Sequence, residues 1–175
     1  MAKDSALMSL EDAAAPHAKQ SLRLWLKLLA ATTVVEKTVR AHLRLNCNST
    51  LPRFDVLAAL ERASGKITMS QLSNRLLVSN GNVTGLISRL VEDGLVLRQT
   101  DPNDRRTQFI SLTRAGRAAF KRMAKQHEAL VDELFAEISG RDMDRLLELI
   151  TRLNTSVHKK LELSADSEEA GDSAA

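Results

Sequence analysis

Cysteine is almost missing from this chain. One residue, Cys47, stands among 175, so no internal disulfide framework can form and a reducing, cytoplasmic setting is the expectation. Long apolar runs are missing too. Nothing approaches the ~20 residues that a membrane helix needs, and the opening MAKDSALMSLEDAAAP lacks the continuous apolar stretch of a signal peptide. Aromatics make up 3% of the chain, with no tyrosine and one tryptophan. The four histidines, His17, His42, His127 and His158, are scattered, and none has a second ligand at metal spacing. No glycine-rich loop follows a strand to hold a phosphate, and no nucleophile–base–acid set can be nominated. These absences predict no metal, no cofactor and no catalysis.

What is present is an uneven charge and a strong helical rhythm. Net charge is +3, but the tail holds Asp166, Glu168, Glu169 and Asp172 without a base, which leaves 25 bases against 18 acids, or +7, in the body. A basic body suits a nucleic-acid partner. Hydrophobic residues at 43% are enough for a core, and the length suits one domain or one lobe with helical extensions.

The most informative stretch is Thr68 to Thr113. Ser70 is placed to cap a helix whose apolar positions are Leu72, Leu76 and Leu77. Ser79 is placed to cap a second helix, with Val78 and Val83 forming a hydrophobic staple across that cap. In the second helix Val83, Ile87, Leu90 and Val91 make one apolar face. The opposite face shows Asn80, Gly81, Asn82, Thr84, Gly85, Ser88 and Arg89. An interior glycine such as Gly85 costs roughly 1 kcal/mol relative to alanine, so a merely solvated face would not choose it. Small residues permit close approach, and Asn, Ser and Arg hydrogen-bond to base edges and phosphates; burial in a helix crossing is the alternative use of the glycines. Next comes a hairpin. Leu95-Val96-Leu97-Arg98 and Phe109-Ile110-Ser111-Leu112 are β-prone, and Asp101-Pro102-Asn103-Asp104 supplies turn chemistry between them. Arg105 and Arg106 lie near the tip, where an arginine can enter a narrow minor groove. Asp104, two residues before Arg106, is placed to brace its guanidinium.

Two helices, a tight turn and a basic hairpin are the parts of a winged helix-turn-helix. From about Leu22 to Leu161 the chain resembles a MarR-family transcription regulator. The resemblance is carried by Leu51-Pro52-Arg53-Phe54-Asp55-Val56-Leu57, by Ser79-Asn80-Gly81-Asn82-Val83-Thr84, and by Asp104-Arg105-Arg106 with Leu112-Thr113 following. It implies a two-fold dimer whose recognition helices enter the major groove and whose wing arginines reach the minor groove. It names Ser79, Asn80, Asn82, Thr84, Ser88 and Arg89 with Asp104, Arg105 and Arg106 as DNA-binding candidates, on a near-palindromic double-stranded operator.

The flanks predict how such a lobe is held. Gln20 to Leu45 reads as one helix with two apolar sides, Leu22, Trp25, Leu26 and Leu29 on one and Leu24, Leu28, Val35 and Val39 on the other. Pro52 opens the next helix and Gly65 stops it. Thr113 is placed to cap a long helix through Phe120, Met123, His127, Leu130, Leu134, Phe135 and Ile138. Ser139-Gly140 breaks it before a last helix carrying Met143, Leu146, Leu147, Ile150, Leu153, Val157 and Leu161. These helices have more apolar face than one small lobe can cover, and pairing across a two-fold axis would bury the surplus. The predicted fold is therefore mostly α with a small β-hairpin wing: a disordered segment at 1–18, dimerisation helices at 19–48 and 114–163, the winged helix-turn-helix lobe at 50–113, and a disordered acidic tail at 164–175.

The resemblance also implies a small-molecule effector held between the dimerisation helices and the lobe. The pieces LPRFDVLAAL, LLVSNGNVTGL and RLVEDGLV are most similar to a branch that controls catabolism of aromatic acids, some members of which respond to the coenzyme A thioester. Arg40, His42, Arg44 and Arg53 are placed to meet an anionic ligand, with a phosphate clamp or plain surface charge as their other reading. Trp25 and Phe54 are either pocket lining or core. The function predicted is a dimeric repressor released by an aromatic acid or its coenzyme A thioester. The rivals are a repressor that senses oxidants through Cys47, for which a buried and inert thiol is the simpler reading, a sequence-independent architectural DNA protein, and a helical protein-interaction module.

Overall fold

The helix-turn-helix opens on a reciprocal cap. The Thr68 N–H donates to Gln71 Oε1 (2.9 Å) and the Gln71 N–H donates to Thr68 Oγ1 (3.2 Å), a capping box that satisfies two donors the helix itself cannot. Thr68, not Ser70, is therefore the N-cap; Ser70 lies inside the first turn. The computed structural model describes residues 16–76, 80–102, 104 and 106–172. In chain order the elements are α1 (Pro16–Cys47), α2 (Leu51–Ala63), β1 (Ile67–Thr68), α3 (Met69–Leu76), α4 (Asn80–Glu92), β2 (Val96–Thr100), β3 (Gln108–Leu112), α5 (Arg114–Leu134) and α6 (Gly140–Asp172). The predicted class, mostly helical with a small β wing, is the class observed. Two compact units divide between Val131 and Asp132.

The first unit holds the core. Val83, Ile87 and Leu90 of α4 are buried, as their spacing predicts, with Leu72 of α3, Val56, Leu57 and Leu60 of α2, Val39 and Leu43 of α1, Ile110 of β3 and Met123 of α5. Proline in the first turn starts α2, and its C-cap is Ser64 in the left-handed region (φ 54°). Gly65, expected as the stop, follows that turn. The three strands form one antiparallel sheet in the order β1-β3-β2, with Val96 opposite Leu112 and Thr100 opposite Gln108 in the hairpin. The two-residue strand β1 pairs Ile67 with Ile110 and was not anticipated, because two residues carry no periodicity.

Helix α4 ends in a Schellman turn: the Gly94 N–H donates to the Val91 carbonyl (2.9 Å) and the Leu95 N–H to the Leu90 carbonyl (2.9 Å). Gly94 has φ +67°, which a side chain would resist. That leaves the Leu95 carbonyl free to receive the Thr113 N–H (3.1 Å). Thr113 caps α5 as predicted, its Oγ1 accepting from the Gly116 N–H (2.8 Å) and donating to the Gly94 carbonyl (2.8 Å). The end of α4 and the start of α5 are thereby one hydrogen-bonded corner.

Helix α1 begins at Pro16, inside the segment expected to be disordered through residue 18. Its C-terminal half reaches the core through Val39 and Leu43, whereas Leu24, Trp25, Leu29 and Val34 are exposed. In the second unit, Ser139 caps α6: its Oγ accepts from the Asp142 N–H (3.2 Å) and donates to Asp142 Oδ2 (2.7 Å). Leu146, Leu147, Ile150, Leu153, Val157 and Leu161 of α6 are exposed. The helix continues to Asp172, through most of the acidic tail expected to be disordered from Ser164. Alanine and glutamate there favour helix, and no glycine intervenes before Gly171.

Candidate nucleic-acid interface

Helix α4 presents its polar side opposite the buried Val83, Ile87 and Leu90. Thr84, Gly85 and Arg89 are exposed and Ser88 is half-buried. Asn80 and Asn82 lie in the first turn of α4, but their side chains, with Ser79, Leu77 and Val78 of the turn, fall outside the described residues, so the proposed Ser79 cap and Val78–Val83 staple do as well. A Cβ built on Gly85 would meet nothing within 4 Å. Gly85 is thus not there to admit a neighbouring helix, which removes the helix-crossing use of that glycine and leaves open space for an approaching surface.

At the wing, the Asp104 carboxylate does not brace the Arg106 guanidinium. Its Oδ1 accepts from the Arg106 backbone N–H (2.9 Å) and its Oδ2 from the Thr107 hydroxyl (2.7 Å). Those two bonds, the Thr107 hydroxyl first, hold the carboxyl below the usual carboxylate range. Further backbone bonds, Asp101 N–H to the Thr107 carbonyl and Thr107 N–H to the Asp104 carbonyl (both 2.9 Å), close the tip. Asp104 shapes the turn from which an exposed Arg106 projects; Arg105 lies outside the described residues.

The residues assigned to an effector separate into different places. Arg40 lines an open cleft of about 660 Å³ with Thr50, Pro52 and Asp55 of the α1–α2 junction, Leu76 of α3, and Val83, Gly85, Leu86 and Arg89 of α4. Arg40 is ion-paired with Glu36 one turn earlier. Arg44 and Arg53 line a neighbouring groove, which Arg89 also borders. Phe54 is 8% exposed and packs against Phe120 and His127, with ring centroids 5.6 and 4.9 Å away. It is a core residue and not a pocket wall. Trp25 is 58% exposed and lines neither opening. His42 Nδ1 lies 3.1 Å from the Asn46 amide nitrogen, and His42 borders neither cleft nor groove. Arg89, expected among the base readers, borders both.

Two acids missed in the sequence matter here. Asp55 sits in the cleft, where burial pushes its carboxyl above the usual range against the pull of Arg40, His127 and Arg62. Asp93, just past the end of α4, pairs with Arg53. Both stand inside segments that carried the resemblance, but a pairing across 40 positions leaves no local signal. Cys47 is half-buried and its Sγ donates to Gln126 Oε1 (2.9 Å). Burial pushes its thiol above the ordinary value, the opposite of what a peroxide-sensing thiolate requires. Among the described residues no His, Cys, Asp or Glu group could hold a metal ion, and no helix is long and apolar enough to cross a membrane.

Comparison with known proteins agrees with this geometry. Residues 49–107 match the MarR family model. The transcriptional activatory protein BadR of Rhodopseudomonas palustris is 29% identical over 161 residues, spanning 89% of this chain and 91% of BadR. A MarR family transcriptional regulator from Silicibacter pomeroyi superposes with a TM-score of 0.71 at 29% identity, over 82% of this chain and 99% of that one. A mutant MarR from E. coli complexed with operator DNA superposes with a TM-score of 0.66 at 25% identity, over 77% and 95%. These relatives are transcription regulators and not enzymes. The winged helix-turn-helix lobe is thus similar to the MarR family model, and over most of its length the chain is similar to transcription regulators of that kind.

Proposed function

We propose that the chain works as a homodimeric repressor that binds a near-palindromic operator and is released by a small aromatic acid or its coenzyme A thioester. The observation that carries the ligand reading is the cleft itself. Pro52, Leu76, Val83 and Leu86 give it apolar wall, and Arg40 and Arg89 give it positive charge, the combination a flat carboxylate needs. Val83, Gly85, Leu86 and Arg89 of that wall belong to α4, so a ligand there touches the helix that carries Asn80, Asn82, Thr84 and Ser88. A ligand that prefers one placement of α4 shifts the DNA-competent population by its difference in affinity between the two placements. The dimer reading rests on the exposed apolar residues of α1 and α6, which a second copy would cover. Two lobes then meet half-sites about one helical turn apart.

The test is a gel shift on the protein's own upstream DNA with a panel of aromatic acids and their coenzyme A thioesters. Release by at least one of them, weakened by Arg40→Gln, is the expected result. Retention of the shift against the whole panel would overturn the effector class, and equal retardation of unrelated duplex would overturn the operator.

A further inference from the structure

A groove of about 470 Å³ lies beside the cleft, between the α1–α2 junction and the end of α4. Three guanidinium groups border it, Arg44, Arg53 and Arg89, against one carboxylate, Asp93. Arg53 is paired with Asp93. Arg44 and Arg89 are exposed, and neither has an ion-pair partner among the described residues. The Asn48 side chain and Thr50, which makes no side-chain cap bond to α2, add uncharged donors to the same wall. A single arginine fork satisfies a carboxylate through two oxygens. Three forks with a local excess of two positive charges match an anion with more oxygens than a carboxylate, which is a phosphate, charged −1 as a backbone diester and near −2 as a free monoester at neutral pH.

We propose that this groove is a phosphate site in which Arg44 and Arg89 receive the anion and Arg53 leaves Asp93 to join them. Asp93 is the C-cap of α4, so the exchange unties the end of the recognition helix from α2. The pair is partly exposed, and such pairs contribute about 1 kcal/mol or less. Occupancy should therefore change operator affinity by about fivefold or less. The phosphate comes either from the DNA backbone or from a free phosphorylated small molecule. The site does not depend on the aromatic-acid reading of the neighbouring cleft.

Calorimetric titration of the full chain with pyrophosphate, without DNA and at ionic strength matched with chloride, tests it. Saturable binding is expected, weakened about tenfold or more by Arg44→Gln and tightened by Asp93→Asn, which removes the competing carboxylate. The tightened variant cannot be explained by misfolding. Absence of saturable binding would overturn the site, and so would binding that both substitutions leave unchanged. Adding the upstream duplex separates the sources. Pyrophosphate that competes with the duplex and lowers its salt slope by about 0.9 per displaced contact assigns the groove to backbone phosphate. Pyrophosphate that binds together with the duplex assigns it to a free ligand.

Discussion

Gly116 lies directly against the backbone of Leu95: a Cβ built on the glycine would fall 1.9 Å from the Leu95 carbonyl oxygen. That contact joins the first turn of α5 to the residue that ends the Schellman turn of α4. Because both partners are backbone, neither can swing aside. The corner fixes where the recognition helix stops and where the wing begins.

Gly116→Ala should consequently destabilise the lobe by about 1–3 kcal/mol, the range for forcing extra volume into a packed site. Thr113→Val removes the cap and should cost about 1 kcal/mol. Thermal unfolding measures both, and the glycine substitution should be the more damaging. A Gly116→Ala protein as stable as the wild type would show that the corner can open without loss.

Gly85 separates stability from function. It is an exposed interior helix glycine with open space around it, so Gly85→Ala should raise stability by about 0.5–1 kcal/mol. If the clearance serves DNA or ligand, the same variant loses operator affinity or effector release. A melting temperature that rises while both activities stay unchanged would show that the glycine serves neither.

Two carboxyls titrate in opposite senses. Asp104 is held below its ordinary value near 3.8 by Thr107 and the Arg106 N–H. It therefore steadies the wing above that pH and loses this contribution as pH falls through the lowered folded value. Asp55 is pushed above 3.8 by burial. The folded state then holds the proton more tightly than the unfolded chain, so this group's contribution to stability declines as pH rises from 3.8 through the raised value. Asp55→Asn removes that decline. Its stability relative to the wild type, followed by urea unfolding from pH 4 to 7, should improve with rising pH, and a constant difference would contradict the assignment.

Much of the lobe was legible because it is local. The apolar rows of α4, the proline of α2 and the Thr113 cap each depend on residues within one helical turn, and each stands where its chemistry places it; α5, expected to run to a break at Ser139-Gly140, ends instead at Leu134. Ser70 and Thr68 each carry a hydroxyl that can cap, and the reciprocal bonds of Gln71 are what single out Thr68. Contacts between distant segments left no such trace. Arg53 and Asp93 meet only after α2 and α4 have packed, and Gly116 reads as an ordinary helix residue until the Leu95 carbonyl is beside it. The exposed faces of α1 and α6 were foreseen as a surplus of apolar residues, since a count of faces needs no contacts. The acidic tail was misjudged because its composition resembles a solvated segment while its propensities favour helix.

The wing and the recognition helix should fail in different ways. Arg106→Ala should weaken binding to every duplex and reduce the salt dependence, as loss of a backbone or minor-groove contact does. Asn82→Ala should reduce discrimination at individual base pairs by about 1–3 kcal/mol. Footprints that neither substitution alters would remove both residues from the reading surface.

The proposed function requires sequence-specific DNA binding by a two-fold dimer. Its most direct measurement is a fluorescence-anisotropy titration of a duplex from its own upstream region against a shuffled duplex, at about 0.15 M salt, with the mass of the complex determined in parallel. Two protomers per duplex are expected, with a preference of about 10³-fold or more for the upstream sequence, the lower end for specific DNA-binding proteins. Equal affinity for the two duplexes, or one protomer per site, would contradict it.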